Sequence, residues 1–351
     1  MIIRAFITHK KAEKFTDCQD RFGVNVDTKS ISVSDGMGST WQQKIWAQLL
    51  VKKFTSSNEW MPTTHESIKQ ICFDWRQKVE DFIQGLKDNN TAENIIYRNE
   101  RCLADGRSAG ATFVGIRFKG LNWSGVVLGD SCLIEWGDSK AEFYTSQSGE
   151  GFDNFPDYFD SNAERRGRGE PRLIDGTIKD GGVLLLVSDP FSEFLFKHYK
   201  NRDINTYIDQ LLKLTSHDEF ESVVELWRSL GMNNDDTTLV IIEYDGVDDL
   251  KIVTMDDINA YIESEDAEST EKQKELVETE FLSQEKNNSE FQKKDTIETL
   301  ESITARNPEY EFVEDVCSCL RKMRMINRFK FKKFRKNVLR ILDKYSIKRN
   351  Y

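Results

Sequence analysis

The sequence predicts an α+β fold: a four-layer αββα sandwich of two mainly antiparallel sheets between outer helices, followed by a helical C-terminal extension. The first observation is that the elements come in blocks of strands, helices, strands, helices and one last strand. Alternating βαβ units would need a crossover after nearly every strand, so sheet-on-sheet packing fits this order better. The second is that 38% of the 351 residues are hydrophobic and 11% aromatic, which is enough for a sizeable core.

Three strands and two helices are predicted in the N-terminal part. Strand-like segments lie at Ile2–Thr8, Phe22–Val26 and Ser30–Ser34, and the first and third are rich in β-branched or aromatic residues. Apolar residues then recur at helical spacing in Trp41–Phe54 and Glu66–Lys87. Two amphipathic helices therefore follow three strands.

The middle of the chain repeats this pattern. The turn residues Lys119-Gly120 predict a hairpin. Residues 146–180 are rich in Gly, Asp, Arg and Ser, which predicts a long irregular flap that faces a substrate. The predicted strands are Ala111–Phe118, Leu121–Leu128, Leu133–Trp136, Ala141–Thr145, Gly182–Ser188 and Thr238–Tyr244, and the predicted helices are Phe191–Tyr199, Ile204–Leu214 and Glu219–Leu230.

Composition divides the chain into three parts: a catalytic domain at 1–245, an acidic linker or helical segment at 246–301 and a basic helical tail at 302–351. Between residues 321 and 349 there are thirteen Lys or Arg and one acidic residue, with apolar residues at helical spacing. This spacing favours docking of the tail on a protein partner or on the acidic segment. An anionic membrane surface and nucleic acid are the alternative contacts.

Charge and cysteine content exclude several classes. A formal net charge of -11 argues against nucleic-acid binding by the body of the protein. No secretory signal or membrane-spanning run is visible, so a cytoplasmic protein without a transmembrane segment is expected. The six cysteines form no CxxC pair or dense framework, which fits a reducing compartment. They are Cys18, Cys72, Cys102, Cys132, Cys317 and Cys319.

Three aspartates at the ends of predicted strands carry the chemistry. Asp35, Asp189 and Asp235 each lead into a turn, and carboxylates at strand ends can converge without losing rigidity. Hard oxygen ligands with few histidines suit Mg²⁺ or Mn²⁺ rather than Zn²⁺. Gly36 lacks a side chain, which would let a backbone carbonyl approach a metal closely.

A series of short motifs over most of residues 1–245 resembles the type 2C family of metal-dependent protein phosphatases, in its bacterial form. No single motif is decisive, but all occur in the family's order. They are Gln19-Asp20, Asp35-Gly36-Met37-Gly38, Ala109-Gly110-Ala111-Thr112, Gly129-Asp130-Ser131, Ser188-Asp189 followed by Glu193, and Asp235-Asp236-Thr237-Thr238.

The resemblance implies a serine/threonine protein phosphatase with two divalent ions. Asp35 would bridge the ions, Gly36 would offer its carbonyl, Asp20 would bind the second ion, and Asp189 and Asp235 the first. Asp35 and Asp20 are the catalytic candidates. Two such ions lower the pKa of a bridging water and neutralise the phosphate, so that water attacks phosphorus directly.

Other implied roles concern a third ion and the grip on the substrate. Asp130 and Glu193 would help a weaker third metal. The family's phosphate-binding Arg is replaced by Phe15, and Lys14 or Lys11 is expected to take its place.

The role of the flap arginines and the choice of substrate leave alternatives open. Arg165 and Arg166 of the flap are candidates to contact an acidic or phosphorylated substrate, or they lie on a solvated basic loop. The expected substrate is a phosphorylated protein, with a cognate Ser/Thr kinase as a possible partner. The rival hypotheses are a degenerate module that binds phosphoproteins without hydrolysis, motivated by Phe15, Pro190 and Cys132, and an enzyme for a small phosphorylated metabolite.

Overall fold

Two large sheets form the centre of the fold in a computed structural model that describes residues 1–146 and 156–265. The strands are β1 (Ile2–Thr8), β2 (Arg21–Asn25), β3 (Ser30–Ser34), β4 (Gly110–Ala111), β5 (Phe113–Lys119), β6 (Asn122–Leu128), β7 (Cys132–Gly137), β8 (Lys140–Tyr144), β9 (Phe159–Asp160), β10 (Arg172–Thr177), β11 (Val183–Val187), β12 (Thr237–Glu243) and β13 (Lys251–Met255). The helices with defined bounds are α1 (Gln43–Ser56), α2 (Lys69–Asp88), α3 (Glu93–Ala104), α4 (Asp189–Asn201), α5 (Ile204–Leu211) and α6 (His217–Ser229).

One sheet has six strands in the order β13-β1-β12-β11-β7-β8, and the other has five in the order β10-β6-β5-β3-β2. Neighbouring strands are antiparallel except for β1 and β13, which are parallel. The predicted fold of two mainly antiparallel sheets is therefore confirmed.

Alternation along the strands separates an inner core from an outer one. On β11, Leu184 and Leu186 lie in a cluster that both sheets share, whereas Leu185 faces the helices. Successive side chains of a strand point to opposite faces, and a strand covered on both faces needs apolar residues at every position. This requirement explains the continuous apolar run of β11.

Helices cover both outer faces. Trp46 and Phe54 of α1 pack with Phe113 of β5 on the five-stranded sheet. Phe191 of α4 and Trp227 of α6 lie in the cluster on the outer face of the six-stranded sheet. Burying an aliphatic or aromatic side chain of this size contributes about 1.5 to 3 kcal/mol, so these aromatic contacts hold the four layers together.

The structure corrects two predicted boundaries. Strand β13 lies beyond residue 245 and pairs with β1, so the sheet continues past the predicted end of the domain. Its five residues are rich in β-branched side chains, but they stand between acidic residues in a stretch whose composition predicted a linker. The flap was predicted as irregular over 146–180, but β10 is a regular edge strand of the five-stranded sheet. Helix α3 was not predicted, because only Cys102 of its residues is buried.

The remaining predictions on organisation concern residues outside the described part. The acidic segment from residue 266 onward and the basic tail 302–351 lie there, as does 147–155 of the flap. Among the described residues, no helix combines the length and apolarity that crossing a membrane requires. The cysteines in that part, Cys18, Cys72, Cys102 and Cys132, are free thiols and are buried.

Candidate metal centre

Five aspartates reach the same end of the two sheets. Strands β3 and β6 run in one direction, so Asp35 and Asp130 follow them at the same end, and Asp20 directly precedes the antiparallel strand β2. In the other sheet, Asp189 follows β11 and Asp235 precedes its antiparallel neighbour β12. The topology therefore brings together the predicted ligands from both sheets.

A hydrogen bond between the sheets fixes Asp20. Its carboxylate is fully buried, and Oδ2 accepts a hydrogen bond of 2.8 Å from the Thr238 hydroxyl on β12. Its Oδ1 and the Oδ1 of buried Asp130 have no hydrogen-bond partner. A buried carboxylate oxygen without a partner is costly, so both atoms call for a cation or a proton.

The backbone of Asp35 is held by two motif residues. Its N–H donates to the Thr112 hydroxyl at 3.3 Å, and its carbonyl accepts from the Thr112 N–H at 2.9 Å. The Thr112 hydroxyl in turn lies 2.6 Å from that of Ser131. Thr112 and Ser131, each from one of the motifs named above, thus position Asp35, the candidate bridging carboxylate.

Gly36 occupies a tightly packed place. A Cβ atom there would lie 3.1 Å from the carbonyl oxygen of Gln19 and 3.1 Å from the carbonyl carbon of Gln43. The close approach brings the segment after β3 against the segment that precedes Asp20. A side chain at this position would require its neighbours to shift by a few tenths of an ångström, so packing favours glycine.

Burial, together with nearby carboxylates, raises the pKa of four of these carboxyl groups. Burial and the charge of Asp130 raise the pKa of Asp35 to about 8, and burial raises that of Asp130 to about 7, with Glu193 among the contributing charges. Burial and neighbouring carboxylates also raise the pKa of Asp20 and of Asp189 well above the usual range. So many negative charges in one place are unfavourable unless cations or protons neutralise them.

The donor set fits a hard divalent cation. Carboxylate and carbonyl oxygens are the ligands of Mg²⁺ and Mn²⁺, and two buried oxygens without partners lie within the cluster. Within residues 1–146 and 156–265, however, no three His, Cys, Asp or Glu side chains stand together in an arrangement that could hold an ion. The fit to a divalent cation therefore rests on the type of the donor atoms and on the two buried oxygens without partners.

Asp236, next to the candidate ligand Asp235, has a different task. It is 4% exposed, and its carboxylate accepts the N–H of Lys10 at 2.8 Å and that of Gln19 at 2.7 Å. One side chain thus ties both ends of loop 10–19, which leads into Asp20. This role of Asp236 was not predicted, although two adjacent acidic residues before a strand are visible in the sequence.

Lys10 brings an ammonium group to the acidic centre, and this contact was not predicted. Its Nζ lies 3.0 Å from Oδ1 of Asp235. Lys11 instead pairs with Glu225, Lys14 is exposed on the loop, and the Phe15 ring is buried. The sequence carried no signal that separates these neighbouring lysines.

The remaining candidates lie around the centre or apart from it. Glu193 accepts a hydrogen bond from Asn233, close to Asp235 in the chain. Arg165 and Arg166 line a groove beside His65 that none of the five aspartates lines, and Arg166 forms an ion pair with Glu170. The structure therefore does not bring the flap arginines together with the acidic centre.

Comparison with known proteins gives a family match. The family profile described as protein phosphatase 2C matches residues 9–239. A search of curated proteins finds no significant match.

Solved structures with a similar fold include bacterial phosphatases. The serine/threonine phosphatase Stp1 from Staphylococcus aureus has a TM-score of 0.45 and 16% sequence identity, covering 70% of this chain and 95% of that one. The S. agalactiae serine/threonine phosphatase has a TM-score of 0.43 and 16% identity, covering 68% and 97%. The catalytic domain of PstP, in complex with two manganese ions, has a TM-score of 0.43 and 14% identity, covering 69% and 98%. With the profile matching about two thirds of its length, the chain belongs to the protein phosphatase 2C family.

Proposed function

We propose that this chain is a metal-dependent serine/threonine protein phosphatase that hydrolyses phosphoserine and phosphothreonine. The observation that carries the proposal is the carboxylate cluster at one end of both sheets, in which Asp20 and Asp130 are buried. Burial and neighbouring carboxylates raise the pKa of Asp20, Asp35 and Asp130, and Asp20 and Asp130 each keep one buried oxygen without a hydrogen-bond partner. A structural ion-pair network would balance its carboxylates with cations, whereas here Lys10 at the edge and buried Arg21 beside Asp20 are outnumbered by the carboxylates.

We propose two Mg²⁺ or Mn²⁺ ions, with a weaker site for a third. When bound, they supply a water that is nucleophilic at neutral pH and neutralise the charge of the phosphoryl group. The residues that would hold them are Asp20, Asp35, Asp189, Asp235 and the carbonyl of Gly36 for the two ions, with Asp130 and Glu193 for the third.

The chain's own contribution is to orient these ligands before the substrate arrives. Thr238 holds one oxygen of Asp20 and leaves the other available. Thr112 fixes the backbone on both sides of the Asp35 peptide. Lys10 brings an ammonium group to the edge of the cluster, where it can attract a phosphate.

The substrate class we favour is a phosphorylated protein, with a cognate Ser/Thr kinase or a kinase-controlled protein as partner. Docking of the basic tail on such a partner, or on the acidic segment, belongs to the same proposal, as does action in the cytoplasm, where buried free thiols persist. The flap arginines Arg165 and Arg166 lie in a groove of their own, which leaves room for a contact with a large substrate.

The test is release of phosphate from a phosphothreonine peptide with Mn²⁺, with Mg²⁺ and with chelator. The variants are Asp35→Asn and Asp235→Asn, and Asp175→Asn on the edge strand β10 is a matched control. We expect metal-dependent turnover that falls at least about a hundredfold in the first two variants, as for loss of electrostatic stabilisation, and remains in the control. Turnover that persists with chelator would contradict the proposal.

A degenerate module that binds phosphoproteins is the alternative, and one observation favours it. Phe15 stands at the position of the family's phosphate-binding Arg and turns its ring into an aromatic cluster, so this position provides no cation. Binding of a phosphothreonine peptide without phosphate release in any ion would favour this module. The same assay therefore separates the two functions.

A further inference from the structure

Residues 256–265, which follow the last strand of the six-stranded sheet, return to the loop that precedes Asp20. Asp256 is 7% exposed, and one of its oxygens accepts the N–H of Ile7 at 2.8 Å and lies 2.8 Å from Nδ1 of His217. Its other oxygen accepts from the Tyr261 hydroxyl at 2.9 Å. The start of this segment is therefore fixed to β1 and α6.

The Tyr261 ring packs on Phe15. The two ring centroids lie 4.7 Å apart with planes 30° from parallel, and the His9 ring meets the Phe15 ring edge-on at 4.8 Å. The backbone N–H of Phe15 also donates to the carboxylate of Glu265, with distances of 3.1 and 3.2 Å to its two oxygens. The middle of loop 10–19 is thus held through both its side chain and its backbone.

The two ends of the same loop are tied to the acidic centre. Asp236 accepts the N–H groups of Lys10 and Gln19, Lys10 reaches Asp235, and Asp20 follows Gln19 directly. A loop fixed at its ends and in its middle has little freedom left. Release of the middle contact would loosen the ends, because the ordering of the loop is shared among these contacts.

We propose that residues 256–265 form a strap, with Tyr261 as its positioning residue, that clamps loop 10–19 and thereby sets the placement of Asp20 and Lys10 in the acidic centre. The proposal deepens the proposed function and rests on it. The strap leads directly into residues 266–351, so a partner that bound this part of the chain and displaced the strap would weaken the centre through Phe15. Phe15 thus has a task that explains its departure from the family pattern.

The experiment uses the full chain with Tyr261→Ala, Tyr261→Phe and the control Tyr97→Ala. Tyr97 lies on α3 and is 64% exposed, so its loss removes an aromatic ring without touching the loop. Two quantities are measured: the Mn²⁺ concentration for half-maximal phosphatase activity, and the rate of tryptic cleavage after Lys11 and Lys14, which are exposed. Melting temperatures are recorded for each variant.

We expect Tyr261→Ala to raise the half-maximal Mn²⁺ concentration about 2- to 10-fold, the factor that corresponds to loss of one aromatic pair, and to speed cleavage. Tyr261→Phe keeps the ring but loses the hydroxyl's hydrogen bond to Asp256, so it should lie between the wild type and Tyr261→Ala in both measurements, whereas Tyr97→Ala should remain within about twofold of the wild type. If Tyr261→Ala lowers the melting temperature but leaves the Mn²⁺ requirement unchanged, Tyr261 is only structural and the proposal is overturned. Faster cleavage with an unchanged Mn²⁺ requirement overturns it as well.

A second measurement separates this proposal from the proposed function. If the wild type releases no phosphate, the Mn²⁺ dissociation constant from calorimetry replaces the half-maximal concentration. The proposal about the strap is then supported if Tyr261→Ala weakens Mn²⁺ binding relative to Tyr261→Phe. It is overturned if the two variants bind Mn²⁺ equally.

Discussion

Asp235 and Asp236 are adjacent, but we expect the first to bind metal and the second to hold loop 10–19 in place. Asp236 is 4% exposed and accepts two backbone N–H groups at 2.8 and 2.7 Å. Asp236→Asn keeps one carbonyl oxygen but turns an NH₂ group toward the second N–H donor. Hydrogen bonds to a charged group contribute about 1.5 to 3 kcal/mol each, and loss of one is partly offset because the variant no longer buries a charge. We expect the free energy of unfolding of the metal-free protein to fall by about 1 to 2 kcal/mol.

Asp235→Asn is the matched comparison. The Asp235 side chain is 47% exposed, and its ion pair with Lys10 at 3.0 Å is of the kind that contributes at most about 1 kcal/mol. We therefore expect Asp235→Asn to retain nearly the full stability of the metal-free protein and to lose metal-dependent turnover. Urea unfolding followed by circular dichroism measures the first, and phosphate release the second.

The roles given to Asp235 and Asp236 would be wrong if Asp235→Asn lost stability and Asp236→Asn did not. A metal-free Asp236→Asn protein as stable as the wild type would mean that loop 10–19 does not depend on this carboxylate. An Asp235→Asn protein with full turnover would remove Asp235 from the candidate ligands.

Three further predictions concern pH, packing and charge. Asp35 and Asp130 have pKa values raised to about 8 and about 7, so the folded metal-free protein binds more protons than the unfolded one. The stability of the metal-free protein should therefore fall as pH rises from about 4 to about 8. Thermal melts with chelator should show this fall, and excess Mn²⁺ should reduce it. Gly36→Ala places a Cβ 3.1 Å from the Gln19 carbonyl oxygen, so we expect a loss of about 1 to 3 kcal/mol in urea unfolding together with weaker Mn²⁺ binding. Lys10→Met should raise KM for a phosphothreonine peptide several-fold, while Lys10→Arg retains part of the affinity and Lys11→Met behaves as wild type; an unchanged KM in Lys10→Met would exclude a phosphate contact.

Local patterns were enough to predict the layers of the fold. Apolar residues recur at the positions that face the core, continuously along β11 and at helical spacing along α1 and α2. The spacing of apolar residues therefore predicts these elements. Strand β13 was missed although Ile252 and its neighbours are β-branched, because it is only five residues long and lies within an acidic stretch. The helix α3 was missed because only Cys102 of its residues is buried.

The carboxylates of the site were predictable because each belongs to a short motif at a strand end. Asp35, Asp189 and Asp235 could be named from sequence, and the structure brings them to one end of the sheets; their binding of metal stays a prediction. The contacts of Lys10 and Tyr261 depend on where loop 10–19 and residues 256–265 meet in space. Such long-range contacts leave no periodicity, so a single sequence does not contain a signal for them.

The most direct test of the acidic centre is calorimetric titration of Mn²⁺ into the metal-free protein at pH 7, in two buffers with different enthalpies of protonation. Because the pKa values of Asp35 and Asp130 are raised to about 8 and about 7, the centre should hold protons that the metal displaces. We expect Mn²⁺ binding with proton release that is strongly reduced in Asp35→Asn. Binding without proton release, or equal binding by Asp35→Asn, would contradict it.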